Sequence, residues 1–72
     1  MPTLRELRED AFLTQRELAQ ACGVTYQTVS EWEHGHSMPS MKHRRKLAEL
    51  LHKMPSELNA AIRATVAEAK QG

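Results

Sequence analysis

Twenty residues, Gln15 to His34 (QRELAQACGVTYQTVSEWEH), constrain this chain more than any other stretch. Two short helical patterns meet there at a single glycine, Gly23. Counting from Gln15, Leu18 stands at +3, Ala19 at +4, Cys22 at +7, Val24 at +9, Val29 at +14 and Trp32 at +17. Ala19 is small where a second helix has to cross the first, and Gly23 suits a left-handed turn that a side chain would disfavour by about 1 kcal/mol. Leu18, Cys22, Val24, Val29 and Trp32 then fill the wedge between the helices, with Cys22 expected to be buried as a small core residue. This is the helix-turn-helix layout. Any one of these offsets alone would fit two ordinary amphipathic helices of a bundle; their coincidence argues for the motif.

The rest of the chain also reads as helix, giving an all-α domain of five helices over residues 1–72, with no alternating run that would argue for a strand. The first helix spans about Leu4–Asp10, with Thr3 and Glu6 as a capping box and Leu4, Leu7 and Ala11 on one face. The second spans about Gln15–Cys22, capped by Thr14 and Glu17, with Leu13 and Leu18 at the staple positions. The third spans about Tyr26–His34, capped by Thr25, stapled by Val24 and Val29 and closed by Gly35. Ser40 caps a fourth helix over about Met41–Leu51, and Pro55 opens a fifth over about Ser56–Ala69.

A domain of this length buries only about 60% of its unfolded surface, so a second subunit would help to stabilise it. The single cysteine excludes an intrachain disulfide and suits a reducing, cytoplasmic setting. No apolar run approaches the roughly 20 residues of a membrane span. The net charge of +1 hides an asymmetry: residues 1–33 carry three basic and six acidic side chains, residues 34–72 seven basic and three acidic. Four of the basic residues fall within Lys42–Lys46 (KHRRK), a cluster that either touches phosphates or forms a solvated helix face.

With Val29 and Trp32 facing inward, the third helix exposes Thr25, Tyr26, Gln27, Thr28, Ser30 and Glu31. In a major groove these side chains have definite chemistry. Gln27 can pair with adenine N6 and N7, Thr25 and Thr28 can meet a thymine methyl or a phosphate, and Glu31 can accept from cytosine N4. Tyr26 can lay its ring on a sugar or methyl group and offer its hydroxyl to a phosphate. The helix contains no Lys or Arg, so attraction to DNA has to come mainly from Lys42, Arg45 and Lys46.

The pieces LRELRED, LTQRELAQACGV, TVSEWEHG, PS and KLAEL, from Leu4 to about Leu58, together resemble the lambda-repressor-like family of DNA-binding domains, also called the xenobiotic-response-element family. The resemblance implies a compact five-helix fold bound as a homodimer to double-stranded operator DNA, more often repressing than activating transcription. It implies base contacts at Tyr26, Gln27, Ser30 and sometimes Glu31, and a phosphate contact from Gln15 at the start of the second helix. Ser40 and Lys42 are expected to meet a second phosphate stretch, with Arg45 beside them. Arg8 and Glu33 match positions that form a partly buried ion pair. Recognition helices of such a dimer would lie about 34 Å apart, one turn of DNA.

Several residues depart from that pattern. Arg44 lies within an inward stripe of Met41, Leu47, Ala48 and Leu51, where its stem can pack while its head snorkels out or finds a carboxylate, a reading preferred over a DNA contact. His52 stands where the family often has glycine, and Met54 is expected to supply an apolar contact that Lys53 does not. Leu50 points away from Arg44's face, toward a partner subunit. On the fifth helix, Leu58 and Ile62 complete the core, whereas Thr65, Val66 and Ala69 continue into a dimer contact or fray. The four histidines and Cys22 match no structural zinc spacing, and no catalytic constellation, cofactor loop or metal site is expected. The expected function is a sequence-specific transcriptional regulator. The alternative is an antitoxin or adaptor that holds a partner protein, such as a toxin, through the fifth helix or the acidic first half.

Overall fold

The computed structural model describes residues 1–71; position 72 of the expected domain lies outside them. Five helices follow one another: α1 (Leu4–Asp10), α2 (Gln15–Cys22), α3 (Tyr26–Glu33), α4 (Met41–Leu51) and α5 (Pro55–Gln71). The boundaries read from sequence hold, except that α3 stops one residue earlier, at Glu33, and α5 runs from Pro55 to Gln71.

The starts of the helices are built as local rules require. Thr3 and Glu6 form a capping box on α1, and Thr14 and Glu17 form another on α2. Thr25 caps α3 and Ser40 caps α4. In the first box the backbone N–H of Thr3 donates to Glu6 Oε1 over 2.9 Å, and in the second that of Thr14 donates to Glu17 Oε1 over 2.8 Å. These bonds, backbone first and side chain second, hold both carboxyl groups below the ordinary glutamate range. A carboxyl depressed in the folded state leaves the unfolded chain to bind protons first as pH falls. The contribution of the caps is therefore complete above the ordinary glutamate pKa of about 4.3 and is lost as acid protonates the folded carboxylates. Melting temperature should fall between pH 6 and pH 3, and the double variant Glu6→Gln/Glu17→Gln should fall less steeply. Equal slopes would show that these boxes carry none of the acid sensitivity.

The ends of α1 to α4 share one device. Each is followed within two residues by a left-handed one: Gly23 (φ 74°) and His52 (φ 54°) directly after α2 and α4, Phe12 (φ 59°) and Gly35 (φ 76°) two positions past α1 and α3. The next N–H reaches five residues back, from Leu13 to the Arg8 carbonyl, Val24 to Ala19, His36 to Glu31 and Lys53 to Ala48, at 3.0–3.2 Å. This satisfies carbonyls that the helix end leaves free. Two of the four positions are not glycine, and left-handed backbone costs a residue with a Cβ about 1–2 kcal/mol. Phe12 is also 93% exposed, so it recovers nothing by burial.

Leu4 and Leu7 of α1, Leu18 and Ala19 of α2, Val29 and Trp32 of α3, Leu47 and Leu51 of α4, and Leu58, Ala61 and Ile62 of α5 form one core. Cys22, expected to be buried, is only half-buried, because it ends α2 at the rim of the wedge; Val24 beside it is half-buried as well. Burial still pushes the Cys22 thiol up, with nearby Lys46 pulling weakly the other way.

Several expectations about the second half are corrected or sharpened. Thr65 is buried within the same chain: its Oγ1 accepts from the Leu4 N–H (2.9 Å) and donates to the Ala61 carbonyl (2.8 Å), tying the first residue of α1 to α5. The far end of α5 does not fray but stays helical to Gln71 and passes close to the α3–α4 loop, with Ala69 itself exposed. Ala69 lies so close to Gly35 that a Cβ there would sit 2.7 Å from the Ala69 Cβ, so Gly35 is required by space as well as by its positive φ. Met41 and Met54 are 78% and 66% exposed rather than inward, since both stand at a helix start, outside the packed turns. Leu50 packs, half-buried, on its own domain's core.

Arg44 neither snorkels into solvent nor finds a carboxylate. Its Nε donates to the Pro39 carbonyl (2.9 Å) and a terminal N–H to Asn59 Oδ1 (3.1 Å). The half-buried guanidinium thereby fastens the α3–α4 loop to the first turns of α5.

Candidate nucleic-acid interface

The outward face of α3 is arranged as its spacing requires. Val29 (0% exposed) and Trp32 (4%) point into the core, which turns Tyr26, Gln27 and Glu31 to solvent, with Thr28 and Ser30 half-buried beside them. Thr25 is exposed at the N-cap. These side chains are not equally free. The Thr25 hydroxyl accepts from the Thr28 N–H (3.2 Å) and lies 2.9 Å from the Thr28 hydroxyl, so the two threonines partly satisfy each other. Ser30 Oγ lies 3.3 Å from His34 Nδ1, which also donates to the Ser30 carbonyl over 2.7 Å. Among the described residues no hydrogen bond occupies the Gln27 amide or the Glu31 carboxylate. Gln27 therefore offers both halves of its amide, one donor group and one acceptor, at the centre of the face.

Gln15 begins α2, but its side chain is not idle surface. Its Nε2 donates to Glu33 Oε1 over 2.8 Å. Glu33 in turn holds Arg8 through two N–H groups, 2.6 Å from Nε to Oε2 and 3.2 Å from Nη2 to Oε1. A third N–H of Arg8 reaches the Leu13 carbonyl over 2.8 Å. The expected Arg8–Glu33 pair is thus present and extends to Gln15, fixing the end of α3 to the end of α1 and the start of α2. Glu33 counts as half-exposed as a whole residue, yet its side chain is only 2% exposed, so the carboxylate is buried and the exposure lies in its main chain. Arg5, Arg8, Gln15, Glu33 and His34 together line a small polar hollow of about 240 Å³.

The basic cluster of α4 is divided between faces. Lys42 and Lys46 are exposed one turn apart, and Lys46 lies near Cys22 at the end of α2. Arg45 instead joins Arg44 and Lys53 along a groove of about 750 Å³ between α4 and α5, floored by Ala48, Pro55 and Leu58. Among the described residues Lys42, Arg45 and Lys46 have no carboxylate within ion-pair distance. The first turn of α4 is held against α3 by His43, whose ring lies 5.5 Å from that of Trp32 and whose Nδ1 is 3.1 Å from Ser40 Oγ.

One neighbour of this face escapes a reading by spacing. Arg16, exposed on α2, carries its guanidinium 4.8 Å from the centre of the Tyr26 ring. The pairing crosses from one helix to another, so no periodic pattern announces it.

Other chemistries find little here. His34 and His36 approach to 5.8 Å between ring centres, but no group of three or more potential metal ligands occurs among the described residues. No described helix is long and apolar enough to cross a membrane. A family model described as helix-turn-helix matches residues 4–58. Neither the comparison with curated proteins nor that with solved structures gives a match.

Proposed function

Because the chain belongs to the lambda-repressor/Cro-type helix-turn-helix family of DNA-binding regulators, we propose that it represses transcription as a homodimer on a near-palindromic operator. α3 lies in the major groove of each half-site, where Gln27 reads an adenine and Tyr26, Thr28, Ser30 and Glu31 meet neighbouring bases and sugars. Thr25 and Gln15 flank that contact, the latter held by Glu33 to place its remaining amide N–H toward a phosphate. Ser40 and Lys42 meet a second stretch of backbone, and Arg45 adds charge from the groove side. Bound α3 blocks polymerase or a competing activator. The observation that carries the proposal is the outward face of α3. It is polar, presented by two buried anchors, and has an unspent amide at its centre.

Selection of bound duplexes from a random library at two salt concentrations tests this reading. A motif with two-fold symmetry is expected, and recovery of no motif at either salt would defeat it. On the selected duplex, Gln27→Ala should weaken binding by about 1–3 kcal/mol and relax one base position. Lys42→Ala should weaken selected and mixed-sequence duplexes alike and flatten the salt dependence. If about four phosphates are neutralised per subunit, the dimer's log–log slope is near −7. Equal losses on both duplexes for Gln27→Ala would remove its base-reading role.

A second reading, an adaptor that holds another protein, draws on the α4–α5 groove, where exposed Met41 and the basic Arg44, Arg45 and Lys53 surround an apolar floor. Library selection without a motif would favour it.

A further inference from the structure

α3 brings no cation to a polyanion. Its sequence, YQTVSEWE, holds two carboxylates and no Lys or Arg, and only Glu33 is matched by an arginine. A cation nevertheless stands at the start of this face. The Arg16 guanidinium lies 4.8 Å from the Tyr26 ring centre, within the roughly 6 Å over which a cation is held by an aromatic face. Such a contact engages the positive charge through the π face of the ring and does not occupy the N–H donors of the guanidinium as a hydrogen bond would. Among the described residues none of these donors is taken by a hydrogen bond or an ion pair. Nor does the position serve α2 itself. Arg16 is the second residue of that helix, in the first turn, where the dipole favours anions over cations. Tyr26 is 46% exposed, so the pair stands on the surface and does not complete the core.

We propose that Arg16 and Tyr26 form one composite DNA contact, in which Arg16 donates to a backbone phosphate beside the base step that Tyr26 meets. Arg16 supplies the charge that α3 lacks, and by lying on the ring it sets the angle at which Tyr26 approaches. This rests on the reading that α3 enters the major groove, and assigns to that site a residue of α2 outside the expected contacts.

The test uses the full chain, the duplex that the wild type selects from a random library, and a mixed-sequence duplex of equal length. Loss of one phosphate contact per subunit should make the dimer's log–log salt slope less negative by about 1.8. Arg16→Ala and Arg16→Gln should both do so and weaken binding at least tenfold at 0.1 M salt. Arg16→Lys should restore the slope without the full affinity, because a lysine keeps the charge but not the planar fork of donors. Combined with Tyr26→Leu, Arg16→Ala should cost much less than the two single losses multiplied, whereas Tyr26→Phe should leave the effect of Arg16→Ala intact. Melting curves of all variants should match the wild type, since both side chains are exposed. Affinity within twofold and an unchanged slope for both Arg16 variants would overturn the contact. Independent effects of Arg16 and Tyr26 would overturn the composite. If the wild type selects no motif, the reading of α3 fails and this proposal with it; a motif with indifferent Arg16 variants defeats this proposal alone.

Discussion

Glu33→Ala should destabilise the domain by about 3–5 kcal/mol, the usual consequence of removing one partner from a buried ion pair. A chain of this size has a total stability of only about 4–11 kcal/mol, so the variant loses a large fraction of it and, at the lower end of that range, would be largely unfolded. The reason lies in what remains. The Arg8 side chain is 10% exposed, and without Glu33 its guanidinium retains only the Leu13 carbonyl, while the Gln15 amide loses its acceptor. Urea denaturation measures the loss directly; a cost below about 1 kcal/mol would mean that water reaches Arg8 and replaces the carboxylate. Replacing both partners, Arg8→Met with Glu33→Leu, should come close to neutral, because a buried pair recovers little more than its own desolvation. That double variant separates architecture from recognition. It keeps the fold and releases Gln15, so DNA binding should fall although stability does not.

Trp32→Ala should cost about 3–5 kcal/mol, the range for deleting a large buried aromatic. Trp32 is 4% exposed in the common core, and its ring also faces His43 on the first turn of α4. One side chain thus supports α3 from behind and locates the turn that presents Ser40 and Lys42. Trp32→Phe should lose less, since it leaves a smaller cavity, and His43→Ala less again, because that ring is only half-buried. Thermal melts of the three variants should rank in that order. A Trp32→Ala loss no greater than that of His43→Ala would place the tryptophan outside the core.

The features read correctly from spacing are those closed over three or four residues. Each cap joins a hydroxyl to an N–H three positions on, as at Thr3, Thr14, Thr25 and Ser40, so its elements are visible side by side in the chain. The helix ends were half legible for the same reason. Gly23 and Gly35 mark left-handed residues, but Phe12 and His52 occupy the same conformation without advertising it. Their backbone is set by the hydrogen bonds that close the helix. Spacing places Met41 on the inward stripe of α4 because periodicity cannot tell where along a helix packing begins. The stripe of α5 points Thr65 to a dimer contact or to fraying, because its true role depends on Leu4, sixty-one residues away. On the candidate interface, spacing identified which α3 side chains turn outward, but it could not show which were already engaged. Gln15 is bound to Glu33, Thr25 to Thr28, and Tyr26 lies beneath Arg16.

By itself the sequence of Gln15–His34 determines the scaffold: two capped helices, a glycine turn between them, and a polar α3 face turned out by Val29 and Trp32. These follow from local hydrogen bonding and helical period, which act over a few residues and are written in order along the chain. Only the tertiary structure decided how that face is held and charged. The extension of the expected Arg8–Glu33 pair to Gln15, the Trp32–His43 contact and the placing of Arg16 on Tyr26 each join side chains from different helices. Such contacts depend on distances that close only when the five helices pack, and no local pattern encodes them.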